Sequence, residues 1–264
     1  MCLIVFGWQT GPRHRLVLAA NRDEYHDRPA APAAFWIDAP DLLAGRDLEA
    51  GGTWLGITRG GRFAAVTNVR EPRSEAAPPR SRGALARDFL RDERAPGEFL
   101  AATDLSEAGG MNLLLGDLQR GELWWASNRG PEPRPLEPGW YGLSNAQLDT
   151  PWPKVVRAKG LLEAACAAAE RPGAVPLEEE LLRLLQDERR PPDRELPDTG
   201  VGPELERFLS AVFLTGPAYG TRARTALTAT PEGEVSLWEE TVDRSGRAAG
   251  RVRHRFAIGA GACP

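Results

Sequence analysis

Short apolar runs come in pairs, give way to helical blocks, and then resume toward the end of this 264-residue chain. That order constrains the fold more than any other feature. Strands are expected at about 3–8, 15–20, 53–58, 62–69, 111–118 and 121–127, and again at about 211–214, 222–229, 234–242 and 251–258. Most of the pairs are divided by glycine or by short polar turns. Helices are expected at about 82–94, opening at Ser81 with Leu85, Phe89 and Leu90 on one face, and at about 153–171 and 177–187. The charged, proline-rich stretch between Asp187 and Gly202 reads as a surface loop. Strands, then helices, then strands fit an α+β layered sandwich better than alternating βαβ units. With 42% hydrophobic residues, a single domain over residues 1–264 can bury a sizeable core.

Cys2 heads the first apolar run, Leu3-Ile4-Val5-Phe6. It admits two readings. One is a small apolar residue that starts a strand. The other follows if Met1 is trimmed, which puts a thiol and a free α-amine on one residue. An α-amine titrates at about 7.7 to 8.0 and a thiol near 8.5, so the amine can take the thiol's proton and no separate base is needed. The second run, Arg15 to Ala20, pairs with the first as a hairpin and ends in Asn21-Arg22-Asp23-Glu24. A hairpin returns this charged tetrad to the neighbourhood of Cys2. There Asp23 would hold the α-amine charged, and Arg22 would favour a thiolate or an anionic substrate. Alternatively the tetrad is a surface turn, with Asn and Asp bonding their own backbone.

Several motifs recur in fixed order: Met1-Cys2-Leu3-Ile4, Leu18-Ala19-Ala20-Asn21-Arg22-Asp23-Glu24, Arg28-Pro29, Gly51-Gly52-Thr53-Trp54-Leu55-Gly56, Thr67-Asn68, Asn112-Leu113-Leu114, Tyr141-Gly142-Leu143-Ser144-Asn145 and Tyr219-Gly220-Thr221-Arg222. Over about residues 1–258 the chain resembles the NRDE family, the group that includes the transport-and-Golgi-organisation proteins of eukaryotes. The resemblance implies the fold of the N-terminal-nucleophile hydrolases, a four-layer αββα sandwich. By the same resemblance to N-terminal-cysteine amidases of penicillin and bile salts, Cys2 matches the nucleophile and Asp23 the acid that orients the α-amine. Asn68 and Asn145 resemble amides of the oxyanion hole, and Arg222 an arginine near the nucleophile. Asn21, Arg22, Glu24 and Trp54 are then expected to bind substrate. Those amidases carry an arginine three residues before the acid. Here that position is Ala20, and Arg22 is expected to leave the strand on the opposite face.

The Gly51–Gly56 segment fits either close backbone approach to a ligand or a turn with Trp54 in the core. Trp36, Trp124, Trp125, Trp140 and Trp152 are expected in the core or lining a pocket.

Composition narrows the function classes. Cys2, Cys166 and Cys263 are too few and too scattered for a disulfide framework or a zinc cluster, which fits a reducing compartment. No stretch of roughly twenty apolar residues occurs, and the N-terminus lacks the pattern of a signal peptide, so a cytoplasmic protein without a membrane span is expected. A net charge of −4 argues against nucleic acid as the main partner. The arginines at 244, 247, 251, 253 and 255 form a local cluster, and the alternation in Arg251-Val252-Arg253-His254-Arg255-Phe256 reads as one solvated strand face rather than an anion-binding strip. His14, His26 and His254 show no ligand spacing, so no metal is expected.

Two classes stay open. The first is an enzyme acting on a small-molecule amide or thioester, with no cofactor. The second is a non-catalytic carrier of haem or a similar hydrophobic metabolite, with Cys2, His26 or Tyr25 as axial donor.

Overall fold

A computed structural model describes residues 2–72 and 78–259. Processing of Met1 and the setting of Cys263 lie outside them. In chain order the strands are β1 (Cys2–Trp8), β2 (Leu16–Tyr25), β3 (Ala30–Trp36), β4 (Ala39–Asp47), β5 (Leu55–Thr58), β6 (Arg62–Asn68), β7 (Met111–Asp117), β8 (Glu122–Ser127), β9 (Arg134–Pro135), β10 (Gly139–Leu143), β11 (Tyr219–Ala229), β12 (Glu234–Val242) and β13 (Ala248–Ala257). The α-helices are α1 (Arg82–Leu90), α2 (Pro96–Ala101), α3 (Pro153–Ala169), α4 (Leu177–Leu184) and α5 (Pro203–Phe208).

Two antiparallel sheets result, one ordered β10-β1-β2-β11-β12-β13 and the other β3-β4-β5-β6-β7-β8-β9. Ile4, Phe6, Trp8, Leu16 and Leu18 of the first sheet pack against Leu55, Ile57, Phe63 and Leu114 of the second. The alternate residues Leu3, Val5, Val17 and Ala19 pack against α3 and α4. On the far side, Ala64, Val66, Leu113 and Leu115 pack against Leu85, Phe89 and Phe99 of α1 and α2. The layers are therefore helix, sheet, sheet, helix. Because both faces of each sheet are covered, the central strands are continuous apolar runs, without the polar alternation of a half-exposed strand.

The structure departs from the sequence expectations in several places. β3 and β4 were not anticipated, because Pro32 and Pro40 interrupt their patterns; β3 is an edge strand, where a missing N–H is tolerated, and its register shifts between Ala31 and Ala34. The short β10 and helices α2 and α5 also lack a clear periodic signal. Ala211–Leu214, expected as a strand, is a buried connector. Its backbone bonds elsewhere: Phe213 N donates to Asp187 O at 2.9 Å, and Leu214 N donates to Thr221 Oγ1 at 3.0 Å. The arginine-rich end does form a solvated edge strand, where Arg251 pairs with Glu179 and Glu240. Among the described residues no helix is long and apolar enough to cross a membrane, and no three His, Cys, Asp or Glu side chains are grouped to hold a metal ion.

Candidate active site around Cys2

The β1–β2 hairpin places the site. Cys2 is the Cα partner of Arg22, and Leu3 of Asn21. On the other side of β2, Thr221 of β11 is the partner of Asp23. Ile4, Phe6 and Ala20 face the second sheet, and alternation along each strand gives Cys2 and Arg22 that same face. This corrects the expected orientation of Arg22. Two residues apart on a strand means a shared face, so Arg22 lies on the side of Ala20 and of Cys2, and only Asp23 turns the other way.

A cavity of about 360 Å³ opens at this end of the two sheets, and Cys2, Arg22, Asp23, Glu24, Trp54 and Asn68 line it. Trp54 comes from the turn before β5. A Cβ on Gly45 would lie 2.1 Å from the Trp54 ring, and one on Gly52 2.4 Å from the Gly83 carbonyl carbon. Thr53 N also donates to Gly83 O at 3.1 Å. The glycines at 45 and 52 thus serve the seating of Trp54 and the approach of the turn to α1. Trp54 itself reaches the cavity, where the Arg22 guanidinium carbon sits 4.3 Å from its ring centroid. None of the other tryptophans singled out in the sequence lines this cavity.

Asp23 is held from two sides. The Thr221 hydroxyl donates to Oδ1 at 2.7 Å, and the Tyr219 hydroxyl donates to its backbone carbonyl at 2.7 Å. Burial pushes the carboxyl up to about 6, against the pull of the N-terminal ammonium, Lys154 and the Thr221 bond. Lys154 was not singled out in the sequence. It lies in the first turn of α3, is almost wholly buried, and donates from Nζ to Leu209 O at 3.0 Å. Burial pushes its ammonium down to about 8, helped by Arg70 and opposed by Asp23, Cys2 and Glu206. A cation in the first turn of a helix opposes the macrodipole, and that was the one sequence signal of its special setting.

With Met1 still attached, burial pushes the Cys2 thiol above its ordinary value and Asp23 adds to the rise, while the N-terminal ammonium, the Asp23 N–H and Arg22 lower it.

The remaining expected residues divide. Asn68 lines the cavity, whereas Asn145 is fully buried behind it: Asn145 Nδ2 donates to Asn68 O at 2.9 Å, and Asn145 O accepts from Arg70 N at 2.7 Å. The Ser144 hydroxyl, 3.1 Å from both Cys2 O and Asn145 Oδ1, ties this knot to the first strand. Asn21 does not reach the cavity. Its Nδ2 donates on the helix side to Leu185 O at 3.0 Å and Val212 O at 2.8 Å. Arg222 sits in a bulge of β11 and donates to the carbonyls of Tyr25, His26 and Arg28, so its guanidinium organises the turn after β2. Of the haem donors considered, only Cys2 lines the cavity. His26 Nε2 is 2.9 Å from Gly216 O, and Tyr25 lies edge-on to Tyr219.

A larger cavity of about 1070 Å³ lies between the helices α3 and α4 and the β1–β2 turn, away from Cys2. Cys166 there is pushed up to about 11 by burial, with Glu170 and Glu163 adding to the rise.

The fold resembles a solved structure of a mutant conjugated bile acid hydrolase from Clostridium perfringens, with a TM-score of 0.52 and 9% identity over 98% of this chain and 92% of that one. The four-layer sandwich is of the N-terminal-nucleophile hydrolase type. In sequence, the chain is 37% identical over 259 residues to the mouse Transport and Golgi organization 2 homolog, covering 92% of this chain and 93% of the relative. It is 36% identical over 262 residues to the human homolog, with the same coverage, and 28% identical to the Drosophila melanogaster protein. Residues 1–244 match the Transport and Golgi organisation 2 family, and the chain belongs to that family.

Proposed function

We propose that the protein is an acyl hydrolase or acyltransferase that uses Cys2 as its nucleophile on a small-molecule amide or thioester. The observation that carries this is the placement of a half-buried thiol at a cavity, on the strand next to a buried carboxylate, Asp23, that a hydroxyl holds in place.

Once Met1 is removed, the α-amine of Cys2 takes the thiol proton as Sγ attacks the carbonyl carbon. The Asp23 carboxylate, kept in place by Thr221, orients the resulting ammonium. Asn68 donates to the oxyanion of the tetrahedral intermediate. Collapse breaks the C–N or C–S bond, and the ammonium returns the proton to the departing amine or thiol. Water, or another acceptor, then attacks the thioester on Cys2 and frees the acyl group. Asn145, Ser144 and Arg222 act through others by fixing Asn68, Cys2 and the turn after β2. The sequence needs no cofactor.

The carrier reading, in which haem or another hydrophobic metabolite occupies the same cavity, has less support. The cavity is small, six of its fourteen lining residues are charged, and two of the three axial donors considered face elsewhere. The test uses protein shown by intact mass to begin at Cys2. An amide and thioester panel is run beside a haem titration, on wild type and Cys2→Ala. Turnover that disappears in Cys2→Ala supports the enzyme. Saturable one-to-one haem binding lost in Cys2→Ala, with no turnover on the panel, replaces it with the carrier.

A further inference from the structure

We propose that Arg22 is an anion seat beside the nucleophile, so that the substrate carries a carboxylate or similar oxyanion within a few bonds of the carbonyl that Cys2 attacks. This rests on the reading of Cys2 as nucleophile and specifies the class of substrate it takes.

Arg22 is only 6% exposed and lines the cavity, yet among the described residues its guanidinium makes no hydrogen bond or ion pair. Its one described contact is the face of Trp54. Glu239 is near enough to feel its charge, but a nearly buried guanidinium whose N–H groups donate to nothing is still costly. The other buried arginines are compensated: Arg70 by Glu206, and Arg224 by Glu240. The carboxylates around Arg22 are committed elsewhere. Glu239 accepts from Ala33 N at 2.7 Å and from the Thr225 hydroxyl at 3.2 Å. Glu24 accepts from Tyr25 N at 2.9 Å, and Asp47 pairs with Arg28 at 2.8 Å.

Stacking on an aromatic face holds the guanidinium plane and leaves its N–H edge for a bidentate partner. Register fixes where that partner lies. Cys2 and Arg22 are directly opposed across an antiparallel pair, where Cα atoms are about 4.5–5.5 Å apart. An anion on Arg22 therefore sits next to the thiol, and a substrate engaging both must carry its charge close to the reacting carbonyl.

Two alkylating reagents that differ only by this charge test the seat without any known substrate. Iodoacetate and iodoacetamide are applied separately at neutral pH, and labelling rates at Cys2 and Cys166 are read by peptide mapping. The iodoacetate-to-iodoacetamide rate ratio at Cys2 should fall by about tenfold or more in Arg22→Gln, the scale of one charge-assisted hydrogen bond, while the ratio at Cys166 stays unchanged. Arg22→Lys should retain part of the wild-type ratio at Cys2. A change in thiolate fraction alters both reagents' rates alike and leaves the ratio unchanged, so the readout isolates anion binding. A ratio at Cys2 indifferent to Arg22→Gln overturns the seat. If Cys2 reacts with neither reagent, the nucleophile reading fails and phenylglyoxal decides the seat. Modification of Arg22 slowed by sulfate supports it, and modification that sulfate does not slow, or no modification, overturns it.

Discussion

The Thr221 hydroxyl donates to Asp23 Oδ1 at 2.7 Å, and the β2–β11 register breaks immediately after this pair, leaving Arg222 in a bulge. The hydrogen bond stabilises the ionised form of a carboxyl that burial otherwise raises. Thr221→Val should therefore move the acidic limb of the pH–rate profile to higher pH and cost about 1–3 kcal/mol of stability. Thr221→Ser should restore both. A limb that stays in place in Thr221→Val would show that Asp23 does not govern the rate.

Asn68 and Asn145 share a motif-level resemblance but occupy different surroundings. Asn68→Ala should lower turnover by about 10²–10³ with little effect on folding, as expected for an oxyanion donor. Asn145→Ala removes the fully buried amide that holds Asn68 O, and should cost about 1–3 kcal/mol of stability as well as activity. Paired denaturation curves and initial rates separate the two. Equal stability losses would place Asn68 among the structural residues.

Much of this arrangement was legible in the sequence. Apolar runs gave the central strands, and the hairpin geometry brought Asn21–Glu24 back to Cys2, as the Cys2–Arg22 pairing bears out. What local pattern could not supply was the direction of each side chain within the tetrad. Asn21 and Asp23 turn to the helix side while Arg22 turns to the sheet interface, and this depends on pleat phase. Lys154 was hidden for a different reason. Its ammonium donates to Leu209 O, a contact 55 residues away in sequence. Asn112 likewise reads only as a motif position. In the fold it joins Thr67, Ala146 and Trp125 in one buried polar knot.

Glu239 makes stability depend on pH. Burial raises its carboxyl to about 7 despite bonds from Ala33 N and Thr225 and the nearby charge of Arg22. The native state then binds the proton more tightly than the unfolded chain. The resulting stability is fully present below the ordinary glutamate value of 4.5 and is lost as pH rises through about 7. Its size is on the order of 3 kcal/mol. Denaturation of Glu239→Gln across this window should show a flatter profile than wild type. Identical slopes would mean that Glu239 is not the group responsible.

Arg70 and Glu206 form a buried ion pair, with Thr199 also donating to Glu206 from its backbone and its hydroxyl. Glu206→Ala leaves Arg70 uncompensated and should destabilise by about 3–5 kcal/mol. Hydrogen exchange should rise first in α5 and around Thr199, since Glu206 fastens that segment to the strand ends. A loss below about 1 kcal/mol would mean that the pair is as weak as an exposed one.

The central claim is that Cys2 carries the acyl group. Protein beginning at Cys2 is mixed with each reactive amide or thioester, quenched in acid within one turnover, digested and analysed by mass spectrometry. The account predicts an acyl mass increment on the Cys2 peptide that accumulates in Asn68→Ala if that change slows deacylation more than acylation, and that is absent from Asp23→Asn at the same time point. Turnover with no adduct on Cys2, and undiminished in Cys2→Ala, would contradict it.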